Sequence, residues 1–133
     1  MESGLAIYNI LANNSPVSAI VGTRIFPNVA KQTTSFPFII YDVQSENPTD
    51  YKQGVSSLDT DNVMVSCYCK TYSEASDLAK KIRTALDRVS GTYNGVVIQS
   101  IKYDGYNDLF TESSADQGIY RKALQFNLRI INT

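Results

Sequence analysis

The chain has 133 residues, 43% hydrophobic and 19% charged, with a formal net charge of -1. That suffices for one domain with a real core and is too apolar for a disordered segment, and the balanced charge offers no basic field for nucleic acid or membrane. Histidine is absent, which excludes Ser-His-Asp, Cys-His and imidazole–metal chemistry, and no apolar run nears the ~20 residues that span a bilayer.

Ser3 is placed to cap a first helix running to about Asn13, with Leu5, Ile7, Ile10 and Leu11 as its buried side. No basic start followed by an apolar run marks a signal peptide, so the chain is expected to be made and kept in a cytoplasm, at least at first. Asn13-Asn14 breaks the helix. Ser15-Pro16 then starts a short one, serine as cap and proline where its missing N–H costs nothing. Val17, Ile20 and Val21 form its apolar side, and Gly22 stops it. Residues 23–26 read as a short extended piece and 29–35 as a polar connection.

Residues 37–44 form a strong strand, apolar on both parities at its start and so partly covered on both faces. Residues 46–61, with Pro48, Gly54 and many Ser, Thr and Asp, read as a long loop of the kind that is functional or mobile. Residues 62–70 alternate: Val63, Val65, Cys67 and Cys69 on one side, Met64, Ser66, Tyr68 and Lys70 on the other. The clearest signal is a helix from Thr71 to about Ser90. Ala75, Leu78, Ala79, Ile82, Leu86 and Val89 make its stripe. Thr71 or Ser73 caps it, with Glu74 placed for a capping box, Asp77 pairs with Lys81, and Gly91 ends it. Residues 93–103 are a third strand and 105–118 a second long polar loop. Residues 119–131 are a last strand whose Leu124, Phe126, Leu128 and Ile130 face the core and whose Ala123, Gln125, Asn127 and Arg129 face away.

The expected fold is therefore α+β, one domain over residues 1–133: helix, short helix, strand, strand, helix, strand, strand. Its helices pack on one face of a four-stranded, mainly antiparallel or mixed sheet. If the second and third strands share that sheet in parallel, the helix between them is a crossover, right-handed by rule. The other sheet face is left polar and open to neighbours.

The parts for catalysis are missing. There is no glycine-rich phosphate loop. Cys67 and Cys69 are too close for a metal pair and lack further ligands, so both are expected as reduced core residues. The segment Asp59-Thr60-Asp61-Asn62 lacks the glycine and glutamate of a calcium loop and reads as a solvated turn. The run Asp104-Gly105-Tyr106-Asn107-Asp108 has turn composition, though paired carboxylates leave hydrolysis as a remote option. Of nine tyrosines, Tyr51, Tyr103, Tyr106 and Tyr120 lie in or beside the two long loops. They are either protein-contact residues or packing beneath those loops. The dispersed lysines and arginines argue against a sequence-reading nucleic-acid binder.

The order of these pieces resembles the small tail-completion or tail-terminator proteins of long-tailed bacteriophages. The likeness is carried by the N-terminal helix, then Ser-Pro-Val-Ser-Ala-Ile-Val-Gly from Ser15 and Thr-Arg-Ile-Phe-Pro from Thr23. Pro-Phe-Ile-Ile-Tyr from Pro37, the strand running into the helix from Tyr72, and the long last strand complete it. The resemblance implies a virion subunit, assembled in the host cytoplasm, that forms a ring, usually a hexamer, at the head-proximal end of the tail tube. Such a ring caps the tube protein, joins it to the head-completion or connector protein and lets DNA pass through its lumen. It implies no enzyme activity, cofactor, metal, membrane or small-molecule substrate. Interface contacts are expected on the two long loops and the polar sheet face, with Tyr51, Lys52, Tyr68, Tyr106, Phe110 and Arg129 as candidates. The rival reading is a small α+β ligand-binding or regulatory module, which needs an enclosed apolar pocket with a few polar groups.

Overall fold

Two helices, α1 (Ser3–Ala12) and α2 (Ser15–Val21), precede the sheet in the computed structural model. It describes residues 3–29, 35–51, 54–112 and 118–131, with the backbone alone at 47–51, 54–58, 109–112 and 118. Asn14, not Ser15, caps α2: its Oδ1 accepts from the Val17 N–H at 3.2 Å, which leaves Ser15 and Pro16 to the first turn. Gly22 closes the helix at φ 60°, a conformation that suits glycine. α1 buries Ala6, Ile7, Ile10 and Leu11, but Leu5, expected on that side, is 51% exposed. At 3.6 residues per turn, Leu5 lies about 200° around the helix from Ile7, so it points away from the core.

The strands are β1 (Ile25–Pro27), β2 (Phe38–Tyr51), β3 (Gly54–Cys69), β4 (Gly91–Tyr93), β5 (Val96–Glu112) and β6 (Gly118–Ile131). They form one sheet of six strands, not four, in the order β1-β2-β3-β6-β5-β4. Only β1 and β2 pair in parallel. β3 and β5 do share the sheet in parallel, as expected of a crossover, but with β6 between them.

Wherever they are described, the two segments expected as loops are strand; residues 52–53 and 113–117 lie outside the described residues. β2 and β3 stay paired out to Tyr51 opposite Gly54, and β5 and β6 out to Glu112 opposite Gly118. The polar composition misleads for a physical reason: a ribbon that needs only its own backbone hydrogen bonds requires no apolar period. Bulges between Val43 and Ser45, Pro48 and Asp50, and Tyr103 and Tyr106 absorb the turn-forming residues without ending the strands. Gly105, at φ 110°, sits in the last of them. The Asp59–Asn62 segment is likewise paired strand, not a solvated turn, and its Asp61 is buried. The expected third strand is split. Asn94 and Gly95, both at positive φ, fold β4 back onto β5, as that dipeptide does in two-residue hairpins.

The crossover helix α3 (Tyr72–Leu86) starts where Thr71 Oγ1 accepts from the Glu74 N–H at 3.2 Å, and Lys81 pairs with Asp77 at 3.0 Å. It ends at Leu86, earlier than the apolar stripe suggests. There Arg88 takes φ 64° and donates its N–H to the Ile101 carbonyl at 2.8 Å, while Asp87 Oδ1 accepts from the Tyr103 N–H at 3.1 Å. These bonds draw the chain toward β5 before Gly91, which belongs to β4. Leu78, Ile82 and Leu86 of α3 meet Ile7, Leu11 and Val17 of the first helices over Ile39, Val65, Phe126 and Leu128 of the sheet. Cys67 and Cys69 are free thiols in this core. The hydrogen bond its thiol shares with Cys67, then burial, push the Cys69 thiol well above its ordinary range.

Candidate assembly surfaces

On the sheet face away from the helices, cross-strand neighbours build a row of rings and cations. Phe36 and Phe38 lie 5.0 Å apart, and Phe38 stacks on Tyr68 at 4.8 Å. The Lys70 ammonium sits 4.6 Å above Phe36, and the Arg121 guanidinium 5.5 Å from Tyr68 while donating to Ser66 Oγ at 3.2 Å. This layer buries Ser66 completely, so the face is less open than its alternation suggests. Tyr68 is half-buried in the row, and burial raises its phenol above the usual range. Arg129 lies on the same face and is exposed.

On the helix side, α3 and the β5–β6 pair enclose a groove of about 450 Å³. Thr71 fixes the start of α3, and helical spacing then lines up Tyr72, Ser76, Ala79, Lys80 and Arg83 as one wall. Tyr103, Tyr106, Lys122 and Leu124 form the other wall and floor. The Arg83 guanidinium lies 4.1 Å over the Tyr103 ring. Lys122 is almost fully buried; its ammonium pairs with Asp108 at 2.5 Å and lies 4.6 Å from the Tyr72 ring and 5.0 Å from the Tyr106 ring. Burial alone would lower the Lys122 pKa, but the bond and charge of Asp108 outweigh it and hold the ammonium above its usual range. Tyr72 and Tyr106 are each more than half exposed, an uncommon placement for large aromatic surface beside a cationic trough.

A second groove, about 560 Å³, lies at the far edge of the sheet among Gly4, Leu5, Asn28, Tyr41, Val43 and Glu46. Gly4 lets α1 approach Tyr41, since a Cβ there would come within 3.3 Å of that ring. Tyr8 packs its ring 6.5 Å from Tyr41, and Leu5, Tyr8 and Val29 present apolar surface to solvent.

The expected contact residues do not converge. Tyr106 borders the α3 groove, whereas Tyr68 and Arg129 are on the opposite face. Tyr51 and Phe110 lie in β2 and β5, with only their backbone described, and Lys52 falls outside the described residues. Sequence reasoning missed Tyr72, Lys80, Arg83 and Lys122. The signal for Lys122 was available: the alternation that sends Leu124 and Phe126 inward sends position 122 inward too. Among the described residues no three cysteine or carboxylate side chains gather as a metal site, and no helix is long and apolar enough to cross a membrane. Asp104 to Asp108, expected as a turn, is the bulged stretch of β5, and Asp108 is committed to Lys122.

The family model for tail completion protein gp17 matches residues 5–131 of the chain. No curated protein matches it in sequence. Among solved structures, a chain from the virion of a native gene transfer agent particle has a similar fold, with a TM-score of 0.76 and 15% identity. The match covers 94% of this chain and 91% of that one.

Proposed function

Because the chain belongs to the tail completion protein gp17 family, we propose that it is a tail-terminator subunit. In this reading, copies close into a ring, a hexamer by resemblance, that caps the tail tube, joins it to the head-completion protein and leaves a lumen for DNA. The family is one of structural tail proteins of phage virions, and the reading adds no catalytic step, cofactor or metal.

The observation that carries it is the placement of the two hairpins. β6 ends at Ile131, opposite Leu58, but β2 and β3 pair onward to Tyr51 and Gly54. β3 ends at Cys69, opposite Tyr120, but β5 and β6 pair onward to Glu112 and Gly118. The two arms therefore leave the sheet at opposite ends of its strand axis. A subunit seated between a tube and a head needs contacts both ways along one axis, which this arrangement supplies. The net charge of -1 also suits a lumen that must release phosphate, since each phosphate contact adds affinity and salt dependence.

The test is to add the purified chain to polymerising tail-tube protein and image the products. The expected result is a closed ring at one end of tubes that stop growing. Tubes of unaltered length with bare ends would overturn the assignment. The rival ligand-binding reading gains nothing specific, because neither groove is an enclosed apolar cavity.

A further inference from the structure

We infer that the α3–β5 groove of one copy takes the α1–β2 edge of a second copy, head to tail, an inference that rests on the ring reading and says where the ring's contact lies.

Three observations converge. First, the described large hydrophobic side chains that are exposed fall in two places. Leu5, Tyr8 and Val29 are at the β1–β2 end of the sheet, and Tyr72 and Tyr106 border the groove on its β5 side. Two different apolar patches at opposite ends of one sheet are not a single self-complementary surface of the kind a two-fold dimer most simply uses. They do suit a heterologous contact, which generates rings when the rotation closes. Second, the charges differ in sign. Lys80 and Arg83 stand exposed on the groove wall, where the one lining carboxylate of α3, Asp77, is already paired with Lys81, and Glu46 stands exposed on the α1–β2 edge. Third, the strand directions agree. β2 is antiparallel to β3, β3 to β6 and β6 to β5, so β2 and β5 run in opposite directions. Copies related by rotation about an axis along the strands therefore bring β2 of one antiparallel to β5 of the next. Each edge is only partly covered: β1 pairs with residues 39–41 of β2, and β4 with residues 96–98 of β5.

The contact is made by side chains in the groove, not by a continued strand ladder. Pro48 and the bulges in β2 and β5 interrupt the regular spacing of edge donors and acceptors, the devices by which proteins discourage edge-to-edge pairing. Tyr72 and Tyr106 then supply aromatic anchors of the kind that dominate contact energies, with Lys80 and Arg83 as the charged rim.

Two variants test this in the full chain, each damaging one patch: Leu5→Asp, and Lys80→Glu combined with Arg83→Glu. Mass photometry of wild type should show a closed oligomer, and each variant alone should assemble at least tenfold more weakly. A 1:1 mixture of the two should form a two-chain particle and stop, because one intact patch remains on each partner. That particle also shows that both variants are folded. Wild-type oligomers with unaltered assembly of both variants would overturn the groove contact and leave the ring standing. A wild-type chain that stays monomeric, free and on tube ends, would overturn both.

Discussion

Burial raises the Asp61 carboxyl above its usual range, with the Ser3 hydroxyl pulling the other way and the charge of Glu46 adding to the rise. A raised pKa in the folded state means that folding takes up a proton more readily than the unfolded chain does. The stabilisation is fully present below the unfolded value and is lost as pH rises through the folded one; above that, a charge must be kept buried. Asp61→Asn removes the titration. Its stability relative to wild type, read from urea melts, is expected to become more favourable between pH 3 and pH 7, and a flat difference across that range would refute the account. None of this was visible in the sequence, where Asp59-Thr60-Asp61-Asn62 has the look of a turn. What decides the placement is the pairing of Asp61 with Leu128 on one side and Glu46 on the other, contacts more than ten residues away. Lys122 differs, because its inward direction follows from strand parity alone, although a buried lysine contradicts composition. Asp108 resolves the contradiction by neutralising it.

At the scale of elements, legibility tracked how far each signal is local. The α3 stripe as far as Leu86, the Asp77–Lys81 pair and a cap at Thr71, one of the two offered, are contained within the helix and were legible. Thr71→Ala is expected to cost about 1 kcal/mol, the usual loss for an N-cap, measured by denaturant unfolding with an unchanged slope. The end of α3 was misread because Val89 keeps the helical period, while the bonds from Arg88 to Ile101 and from Tyr103 to Asp87 are tertiary. The Asn94-Gly95 turn was legible and passed over; it divides β4 from β5. The two arms were not legible by periodicity, since their sequences carry no apolar alternation while their backbones still pair. Pro48 and Gly105 then argued for loops, where bulges accommodate them.

For the whole molecule, the α+β class and the single helix-covered face were foreseeable, whereas the six-strand order depends on which edges meet. The arms give a test that separates fold from assembly. Among the described residues, 54–57 of β3 have β2 as their only strand neighbour, because the described part of β6 reaches only to Leu58. Replacing residues 49–57 with Asn-Gly should therefore leave the thermal midpoint within a few degrees of wild type while abolishing the joining of tails to heads in an infectivity assay. A chain that fails to fold, or one that restores full infectivity, would contradict this division of labour.

Of the six described strands, β6 is the last in chain order, and it is also the one that lies between β3 and β5. A nascent chain emerging from the ribosome thus holds two unjoined halves, each with an open seam where β6 will go. The wall formed by Leu124 and Lys122 does not exist until that strand is inserted. If the groove contact inferred above is the one that joins subunits, chains still under synthesis lack half of it, and only chains with β6 in place can be recruited.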